Sequence, residues 1–181
     1  MRRSIEAARR ALPDAVREAE AASLTVATTL LMVPGQTVCA YYPLASEPAS
    51  PAALEVLRST GCRVLLPVVG ADAGPLDWAV HDGEMRSGPL GLLEPAGPRL
   101  GPDAVGGAEL VLVPALAVSR DGVRLGRGGG HYDRTLPLAH AGVPLVALIR
   151  DEELLDTVPA EPHDVRVTAV LTPGAGLVPL Q

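Results

Sequence analysis

The sequence of 181 residues contains no lysine, so all 15 of its cationic side chains are arginines. A Walker A phosphate loop requires a lysine beside its glycines, and that class of nucleotide-binding motif is therefore excluded. The arginines are spread along the chain rather than gathered in a basic run, and the formal net charge is -6. Both observations argue against a nucleic-acid partner.

Cysteine and histidine are also scarce, with two and four residues respectively. Cys39 and Cys62 each lie in an apolar run, and neither has the spacing to a second cysteine or a histidine that metal sites show. We expect two buried free thiols. His81, His140 and His163 are widely separated and predict no metal site either.

An apolar stretch over 24–34 follows the N-terminal arginines, but it is too short to span a bilayer. Asp14, Glu18 and Glu20 lie between the arginines and this stretch, an arrangement unlike that of a secretory signal peptide. The sequence therefore predicts a cytoplasmic protein with no membrane partner, and we expect a monomer.

Hydrophobic residues make up 48% of the chain, enough for one substantial core, so we expect a single domain over 1–181. Fully apolar runs such as 63–69 are typical of strands buried on both faces of a parallel sheet. The pattern predicts an α/β fold, a three-layer sandwich with a mainly parallel central sheet and a surface loop over 88–107. The predicted elements are helices over 4–31 with a break at Pro13, 51–60 and 133–140, and strands over 37–42, 63–69, 76–81, 109–114, 143–149 and 165–171.

The most informative segment is 124–132, which contains four glycines. Glycine lets the backbone adopt positive φ, so that successive N–H groups can point into one anion-binding concavity. Arg124 and Arg127 would add charged donors for a phosphate, and a helix expected to begin near His131 would direct its positive end to the same place. Asp133, in the first turn of that helix, is placed to ligate a magnesium ion that bridges phosphate oxygens.

A simpler alternative is a surface turn in which Asp133 only complements the helix dipole. Two arginines, a tyrosine and an aspartate in tight order around four glycines exceed what a turn needs. The segment also fails the dinucleotide-binding fingerprint, because His131 stands where its third glycine should be. We therefore favour a phosphate site that belongs to neither common nucleotide-binding fold.

The same segment carries a resemblance to a known family. The chain has Pro-Ala-Leu-Ala at 114–117 and Gly-Val-Arg-Leu-Gly-Arg-Gly-Gly-Gly-His-Tyr-Asp-Arg at 122–134. It resembles the 5-formyltetrahydrofolate cyclo-ligase family, in which Pro-x-Leu-Ala precedes Gly-x-Arg-Leu-Gly-x-Gly-x-Gly-Tyr-Tyr-Asp-Arg. Other segments that look like the family, in order, are 42–47, 65–67, 91–95, 162–167 and 170–173.

The resemblance implies an enzyme that uses ATP and Mg²⁺ to convert 5-formyltetrahydrofolate into 5,10-methenyltetrahydrofolate, with release of ADP and phosphate through a phosphorylated formyl (iminophosphate) intermediate. The implied fold is similar to sugar-phosphate isomerase-like and CoA-transferase-like proteins. Two alternatives remain open: a folate- or nucleotide-binding protein of the same fold with little or no turnover, and a site for another phosphorylated metabolite such as a sugar phosphate.

The resemblance also implies roles for particular residues. Arg124 and Tyr132 would be catalytic, and Asp133 would bind the metal. The implied ATP-binding residues are Arg2, Arg3, Arg124, Leu125, Gly126, Arg127, Gly128, Gly129, Gly130, His131 and Tyr132. The implied residues for the reduced folate are Tyr42, Glu47, Gly128, Gly129, Gly130, His131 and Tyr132, with Glu47 accepting hydrogen bonds from N–H groups of the pterin ring. Trp78 is expected to pack in the core rather than contact the folate.

Three positions depart from the family pattern. The family usually begins with Lys-x-x-Leu-Arg, and here the lysine would lie upstream of residue 1, unless Arg2 or Arg3 takes its place. Thr168 occupies the apparent position of an aspartate that helps to hold magnesium in many relatives. His131 replaces an aromatic residue and adds a titratable nitrogen.

Overall fold

A computed structural model describes residues 1–70, 74–161 and 164–180. Pro162 and His163, which the sequence analysis named, lie outside these ranges. The α-helices are α1 (Arg2–Ala11), α2 (Asp14–Thr29), α3 (Pro51–Ser59) and α4 (His131–Thr135). The strands are β1 (Thr37–Cys39), β2 (Arg63–Val68), β3 (Asp77–Val80), β4 (Met85–Ser87), β5 (Leu93–Pro95), β6 (Leu110–Pro114), β7 (Ala117–Ser119), β8 (Arg124–Leu125), β9 (Leu145–Leu148), β10 (Leu154–Leu155), β11 (Ala169–Thr172) and β12 (Gly176–Pro179). Short 3-10 helices span Pro89–Gly91, Pro102–Gly107, Leu136–Leu138 and Asp151–Glu153.

Within the described residues the main sheet has seven strands in the order β12-β11-β9-β6-β1-β2-β3. Its five inner strands are mutually parallel, whereas β12 and β3 pair antiparallel at the two edges. At its centre, Val38 of β1 is in register with Val64 of β2 and with Leu110 of β6. The predicted α/β class with a mainly parallel central sheet is confirmed.

The two faces of this sheet are covered by different elements. Alternate residues of a strand point to opposite faces, so neighbours such as Val38 and Cys39 belong to separate core clusters. One cluster includes Leu24 of α2 and Leu57 of α3, and the other includes Val105 and Leu136 of the 3-10 helices. These covering elements and the central sheet form the three expected layers.

Pro13 separates α1 from α2, as the sequence predicts. Proline restrains the residue before it to extended conformations, and Leu12 has φ -66° and ψ 136°. Helix α2 then begins at Asp14 and runs for 16 residues. None of the helices in the described ranges is long and apolar enough to span a membrane.

The prediction of a surface loop over 88–107 is wrong in part. It contains β5 and two 3-10 helices, Pro89–Gly91 and Pro102–Gly107. Tertiary contacts create this structure, because Glu94 of β5 is buried and accepts a hydrogen bond from the backbone N–H of Val69 at 2.8 Å. Local composition alone, rich in glycine and proline, gave no sign of this long-range bond.

Two predicted boundaries also change. Strand β1 covers only Thr37–Cys39 instead of 37–42, and the chain beyond it leaves the sheet to line a cavity. The helix expected to begin near His131 does begin there, but α4 ends at Thr135 and not at 140. The chain continues as a 3-10 turn around Pro137, because proline cannot supply the N–H of a continuing α-helix.

Both thiols are buried and free, as predicted. Cys39 lies on β1 in the centre of the sheet. Burial raises the pKa of the Cys39 thiol to about 12, with the positive charge of Arg63 opposing the shift. The thiol therefore stays protonated and acts as a small apolar side chain in the core.

The packing of α2 on the sheet gives a stability prediction. Leu24→Ala should lower the free energy of unfolding by about 2–5 kcal/mol, because Leu24 is 1% exposed and truncation leaves a cavity. Leu30→Ala is the matched control, since Leu30 is 81% exposed just beyond the same helix and its loss should cost less than about 0.5 kcal/mol. Urea denaturation followed by circular dichroism measures both. Equal losses in the two variants would contradict this account of the core.

Candidate active site

A cavity of about 300 Å³ opens at the carboxyl ends of β1, β2 and β6. This is the edge at which ligands bind in open α/β sheets. The cavity lining combines apolar side chains with residues of the glycine-rich segment 124–133. The lining residues are Tyr41, Tyr42, Leu44, Glu47, Pro67, Val69, Leu76, Leu92, Leu93, Glu94, Pro114, Ala115, Leu116, Arg124, Gly126, Arg127, Gly128, Gly129, Gly130, His131, Tyr132 and Asp133.

The glycine-rich segment runs directly from β8 into α4. Strand β8 pairs antiparallel with β7, which holds the start of the segment beside the cavity. Gly128 and Gly130 have φ of +98° and +67°, values at which a side chain would be strained. Helix α4 has only five residues, so its dipole contributes less to an anion site than the sequence analysis expected.

Arg124 is held in place by three contacts. Its Nη2 donates to Asp133 Oδ1 in a close ion pair, and its Nη1 donates to the carbonyl of Pro114 at 3.3 Å. The guanidinium carbon also lies 5.4 Å from the ring centroid of Tyr132, within cation–π range. The arginine is 8% exposed, so its position at the cavity wall is fixed.

Arg127 connects the glycine-rich segment to two other parts of the chain. Its Nη1 donates to Glu6 Oε1 of α1 at 2.8 Å, and its Nη2 donates to Ser46 Oγ at 3.2 Å. Its Nε lies 3.5 Å from Glu47 Oε1. This guanidinium is about one-third exposed and therefore open to a ligand as well as to its carboxylates.

Glu47 lies 9% exposed in the cavity. Its Oε2 accepts the backbone N–H of Leu44 at 2.9 Å. Burial raises the pKa of the Glu47 carboxyl, while the Leu44 N–H and the positive charge of Arg127 partly offset that effect. Glu47 thus has the Leu44 N–H at Oε2 and the Arg127 guanidinium near Oε1, and each carboxylate oxygen can accept more than one hydrogen bond.

Some of the residues assigned from the family resemblance line the cavity, and others do not. Arg2 donates from Nε to the carbonyl of Gly126 at 2.8 Å but does not line the cavity. Arg3 is exposed on α1 and has no hydrogen bond or ion pair with any described residue. Leu125 packs in a buried cluster with Leu116 and Ala117 and does not line the cavity. The structure brings these residues together at the cavity: Tyr42, Glu47, Arg124, Gly126, Arg127, Gly128, Gly129, Gly130, His131, Tyr132 and Asp133.

A buried ion pair beneath the cavity escaped the sequence analysis. Arg9 of α1 donates to both carboxylate oxygens of Glu153 at 2.7 Å and to the carbonyl of Ala115 at 2.8 Å. A second arginine, Arg150, donates to Glu20 of α2 at 2.7 Å. The partners are 106 to 144 residues apart in sequence, so no local pattern reveals them.

Sequence reasoning also missed Tyr41, Glu94 and most of the apolar wall. Tyr41 lies just after the carboxyl end of β1. Its position after a predicted parallel strand could have identified it as a cavity residue. Leu76, rather than Trp78, lines the cavity near β3. Trp78 is completely buried in the core, as predicted.

Asp133 is the one acidic residue of the glycine-rich segment and lies beside Arg124. Thr168, at the apparent position of a second metal ligand, does not line the cavity. It directly precedes β11, and its hydroxyl bonds to the backbone of Leu145 at the amino end of β9. Within the ranges 1–70, 74–161 and 164–180, no three histidine, cysteine or acidic side chains are grouped to hold a metal. A cation here would need phosphate oxygens as further ligands.

The fold and the cavity define an α/β protein with its site at the carboxyl edge of a parallel sheet, built from a glycine-and-arginine segment and a buried carboxylate. Comparison with known proteins gives the family. A profile of the 5-formyltetrahydrofolate cyclo-ligase family matches residues 1–173. The chain belongs to this family and is an enzyme of the ligase class.

Similarity to characterised relatives extends over most of the chain. A 5-formyltetrahydrofolate cyclo-ligase of Mycolicibacterium smegmatis is 51% identical over 178 residues, which cover 96% of this chain and 92% of that protein. One from Escherichia coli K12 is 30% identical over 146 residues, which cover 78% of this chain and 80% of that protein. The NMR structure of 5,10-methenyltetrahydrofolate synthetase from Aquifex aeolicus has a TM-score of 0.78 at 22% identity, covering 99% of this chain and 91% of that one. The structure of a 5,10-methenyltetrahydrofolate synthetase from Mycoplasma pneumoniae has a TM-score of 0.74 at 20% identity, covering 93% of this chain and 94% of that one. These two structures show the shared fold.

The Arg9–Glu153 pair predicts a large effect of a single substitution. Arg9→Met should lower the free energy of unfolding by about 3–5 kcal/mol, because Glu153 loses its two closest charged bonds and keeps only the Arg150 backbone N–H and the more distant Arg150 guanidinium at 3.9 Å. Arg58→Met is the matched control, since Arg58 and Glu55 form an ion pair on the exposed face of α3 and its loss should matter far less. Guanidinium denaturation compares the two variants. Similar small losses in both would show that the buried pair contributes little.

Proposed function

We propose that this chain catalyses the ATP-dependent conversion of 5-formyltetrahydrofolate to 5,10-methenyltetrahydrofolate, with release of ADP and phosphate. One observation carries the proposal: a single cavity joins an apolar wall and the buried carboxylate of Glu47 to Arg124, Arg127 and the glycine-rich segment. The apolar wall and the Glu47 carboxylate suit a flat heterocycle with N–H donors. The two arginines and the glycine-rich segment suit phosphate. Residues 1–181 would act as one domain.

The reaction needs activation of the formyl oxygen. An oxygen of a formamide is a poor leaving group, so transfer of the γ-phosphoryl group to it gives an iminophosphate and releases ADP. Nitrogen N10 of the folate then attacks the activated carbon and loses its proton, the C–O bond breaks, and phosphate leaves as the five-membered ring closes. The protein mainly has to align the phosphoryl group with the formyl oxygen and to neutralise charge during transfer.

Arg124, Arg127 and the N–H groups of the glycine-rich segment would neutralise that charge. Arg124 is positioned by Asp133 and Pro114, so it enters the reaction with little reorganisation. The guanidinium fork offers several parallel donors to a phosphoryl group. Arg2 and Arg3 of α1 would support the nucleotide from the outer side of the segment, where Arg2 already contacts Gly126.

The reduced folate would insert its pterin ring between Tyr42 and the apolar wall, with Glu47 accepting ring N–H groups. A cavity of about 300 Å³ lies at the small end of ligand pockets, so the ring and the transferred phosphoryl group fit inside. The nucleoside and the glutamate tail would then extend past the cavity mouth. His131 lines this cavity, with its Nδ1 3.4 Å from the carbonyl of Gly74.

Asp133 is the residue that fits a magnesium ion. Mg²⁺ at phosphate sites is commonly held by one or two carboxylates and by phosphate oxygens, and Asp133 can provide one such carboxylate. When bound, the ion would neutralise phosphate charge. The carboxylate of Asp133 is about one-third exposed and pairs with Arg124 through Oδ1, so its other oxygen could contact an ion brought by the nucleotide while Arg124 stays in place.

The activity is tested by following methenyltetrahydrofolate formation spectroscopically with ATP and Mg²⁺ present. Arg124→Lys should lower kcat at least about tenfold while the fold is kept. Lysine retains the positive charge but lacks the parallel N–H donors of a guanidinium group. Arg120→Lys is the matched control, since Arg120 pairs with Asp156 on the surface and should leave kcat unchanged. Wild-type kcat and ATP KM in Arg124→Lys would refute the phosphate role of Arg124. Folate binding without product in the wild-type protein would refute turnover.

The raised pKa of Glu47 gives a pH prediction. Burial makes this carboxyl keep its proton to higher pH than an ordinary glutamate, and a protonated carboxyl accepts ring N–H groups poorly. We expect the KM for 5-formyltetrahydrofolate to be lowest above this raised pKa and to increase as the pH falls through it.

The measurement is KM from about pH 4.3, the ordinary pKa of a glutamate, upward to neutral pH. Glu47→Gln should have a high KM throughout and lose the pH dependence. Glu84→Gln, an exposed glutamate beside β4, serves as the control and should behave as the wild type. An unchanged profile in Glu47→Gln would remove Glu47 from ring recognition.

A further inference from the structure

The glycine-rich segment contains a run of unpaired backbone N–H groups. The N–H groups of residues 127–130 have no hydrogen-bond acceptor within the described ranges. Gly128 and Gly130 have positive φ, and Gly129 between them does not. Such an alternation can turn successive N–H groups to one side, as in an anion-binding nest. These residues line the cavity, so the direction of their N–H groups decides whether the segment attracts or repels a phosphate.

A peptide group between two glycines has little intrinsic preference for one direction. Glycine adopts positive and negative φ about equally, so the Gly129–Gly130 peptide can turn over at little conformational cost. The described residues contain no cis peptide bond, and in a trans peptide the carbonyl and the N–H point in opposite directions. A peptide that turned over would direct its carbonyl oxygen, instead of the Gly130 N–H, toward a bound phosphate. The segment therefore needs a contact that fixes this peptide.

Arg134 provides such a contact from outside the cavity. Its Nη2 donates to the carbonyl of Gly129 at 2.9 Å, and its Nε donates to the carbonyl of Gly74 at 3.3 Å. A Cβ atom on Gly130 would lie 2.5 Å from Nη1 of Arg134, so the guanidinium packs directly on this glycine. Arg134 itself does not line the cavity. The Gly129 carbonyl therefore points away from the cavity, and the Gly130 N–H points toward it.

Two simpler roles for Arg134 explain less of this geometry. As a cation in the last turn of α4 it would complement the helix dipole, but a helix of five residues gains little from that. As a direct phosphate ligand it would have to leave both carbonyls, whereas Arg124 and Arg127 already line the cavity. Neither role requires a guanidinium that spans two carbonyl groups.

We infer that Arg134 is a positioning residue, which holds the Gly129–Gly130 peptide with its N–H directed at the phosphate site. This inference rests on the proposed function and adds to it a side chain that contacts neither substrate. The guanidinium joins the glycine-rich segment to Gly74, in the chain between β2 and β3. A lysine would keep the positive charge but lacks the planar fork that spans both carbonyls.

ATP binding in the absence of folate tests this role. ATP with Mg²⁺ is titrated calorimetrically into the wild type, Arg134→Met and Arg134→Lys. Arg134→Met should bind ATP about tenfold more weakly, the effect of one net hydrogen bond, and Arg134→Lys should recover only a small part of this loss. The affinity of both variants for 5-formyltetrahydrofolate should stay within about twofold of the wild type.

The Gly130 amide reports the direction of the peptide itself. In heteronuclear NMR spectra of the wild type, its proton resonance should move downfield when ATP is added, because the N–H gains a phosphate acceptor. The same shift should be absent from Arg134→Met at saturating ATP. A role of Arg134 in stability alone would leave this shift unchanged in the folded variant, and thermal unfolding verifies that both variants are folded.

Arg120→Met is the matched control, since it removes an exposed arginine that pairs with Asp156 and changes the net charge equally. It should bind ATP as the wild type does. Wild-type ATP affinity in Arg134→Met, full recovery in Arg134→Lys, equal weakening of both ligands, or the same loss in Arg120→Met would overturn the inference and leave the proposed function standing. Failure of the wild type to bind ATP would overturn the proposed function as well.

Discussion

Parallel pairing of the five inner strands is the constraint on which the rest of the structure depends. Parallel strands must all end at one edge, so the chain leaves β1, β2 and β6 at neighbouring points. The residues that follow those strands, including Tyr41, Val69 and Ala115, therefore converge on one cavity although they are far apart in sequence. None of these residues lies at the amino ends of the strands, which is where Thr168 lies, beside Leu145 at the start of β9.

Both arginines of the cavity already face carboxylates before any ligand arrives. Arg124 faces Asp133, and Arg127 faces Glu6 and Glu47. Arginine suits such a wall because its guanidinium stays charged when partly buried, whereas a buried lysine readily loses its proton. The absence of lysine from the sequence thus accords with a site in which cations lie against apolar surface.

The sequence predicted the features that depend on local pattern. Apolar runs revealed the inner strands, Pro13 marked the break between α1 and α2, and the glycines at 126–130 revealed the segment that lines the cavity. Features that depend on distant contacts were not predictable. The hairpin of β4 and β5 is fixed by Glu94 bonding to Val69, and α1 is fixed by Arg9 bonding to Glu153. The motif match also could not separate Leu125, which packs inward, from its neighbours that line the cavity.

Arg127 makes the two halves of the cavity depend on each other. The same guanidinium lies beside Glu47 on the ring side and belongs to the segment proposed for phosphate. Under the proposed function, a phosphate that drew Arg127 away from Glu47 would remove a neighbouring positive charge from that carboxylate and so alter how it holds a ring. By thermodynamic linkage, a ring bound at Glu47 would change phosphate affinity by the same factor. Nucleotide and folate would therefore be coupled through one shared side chain.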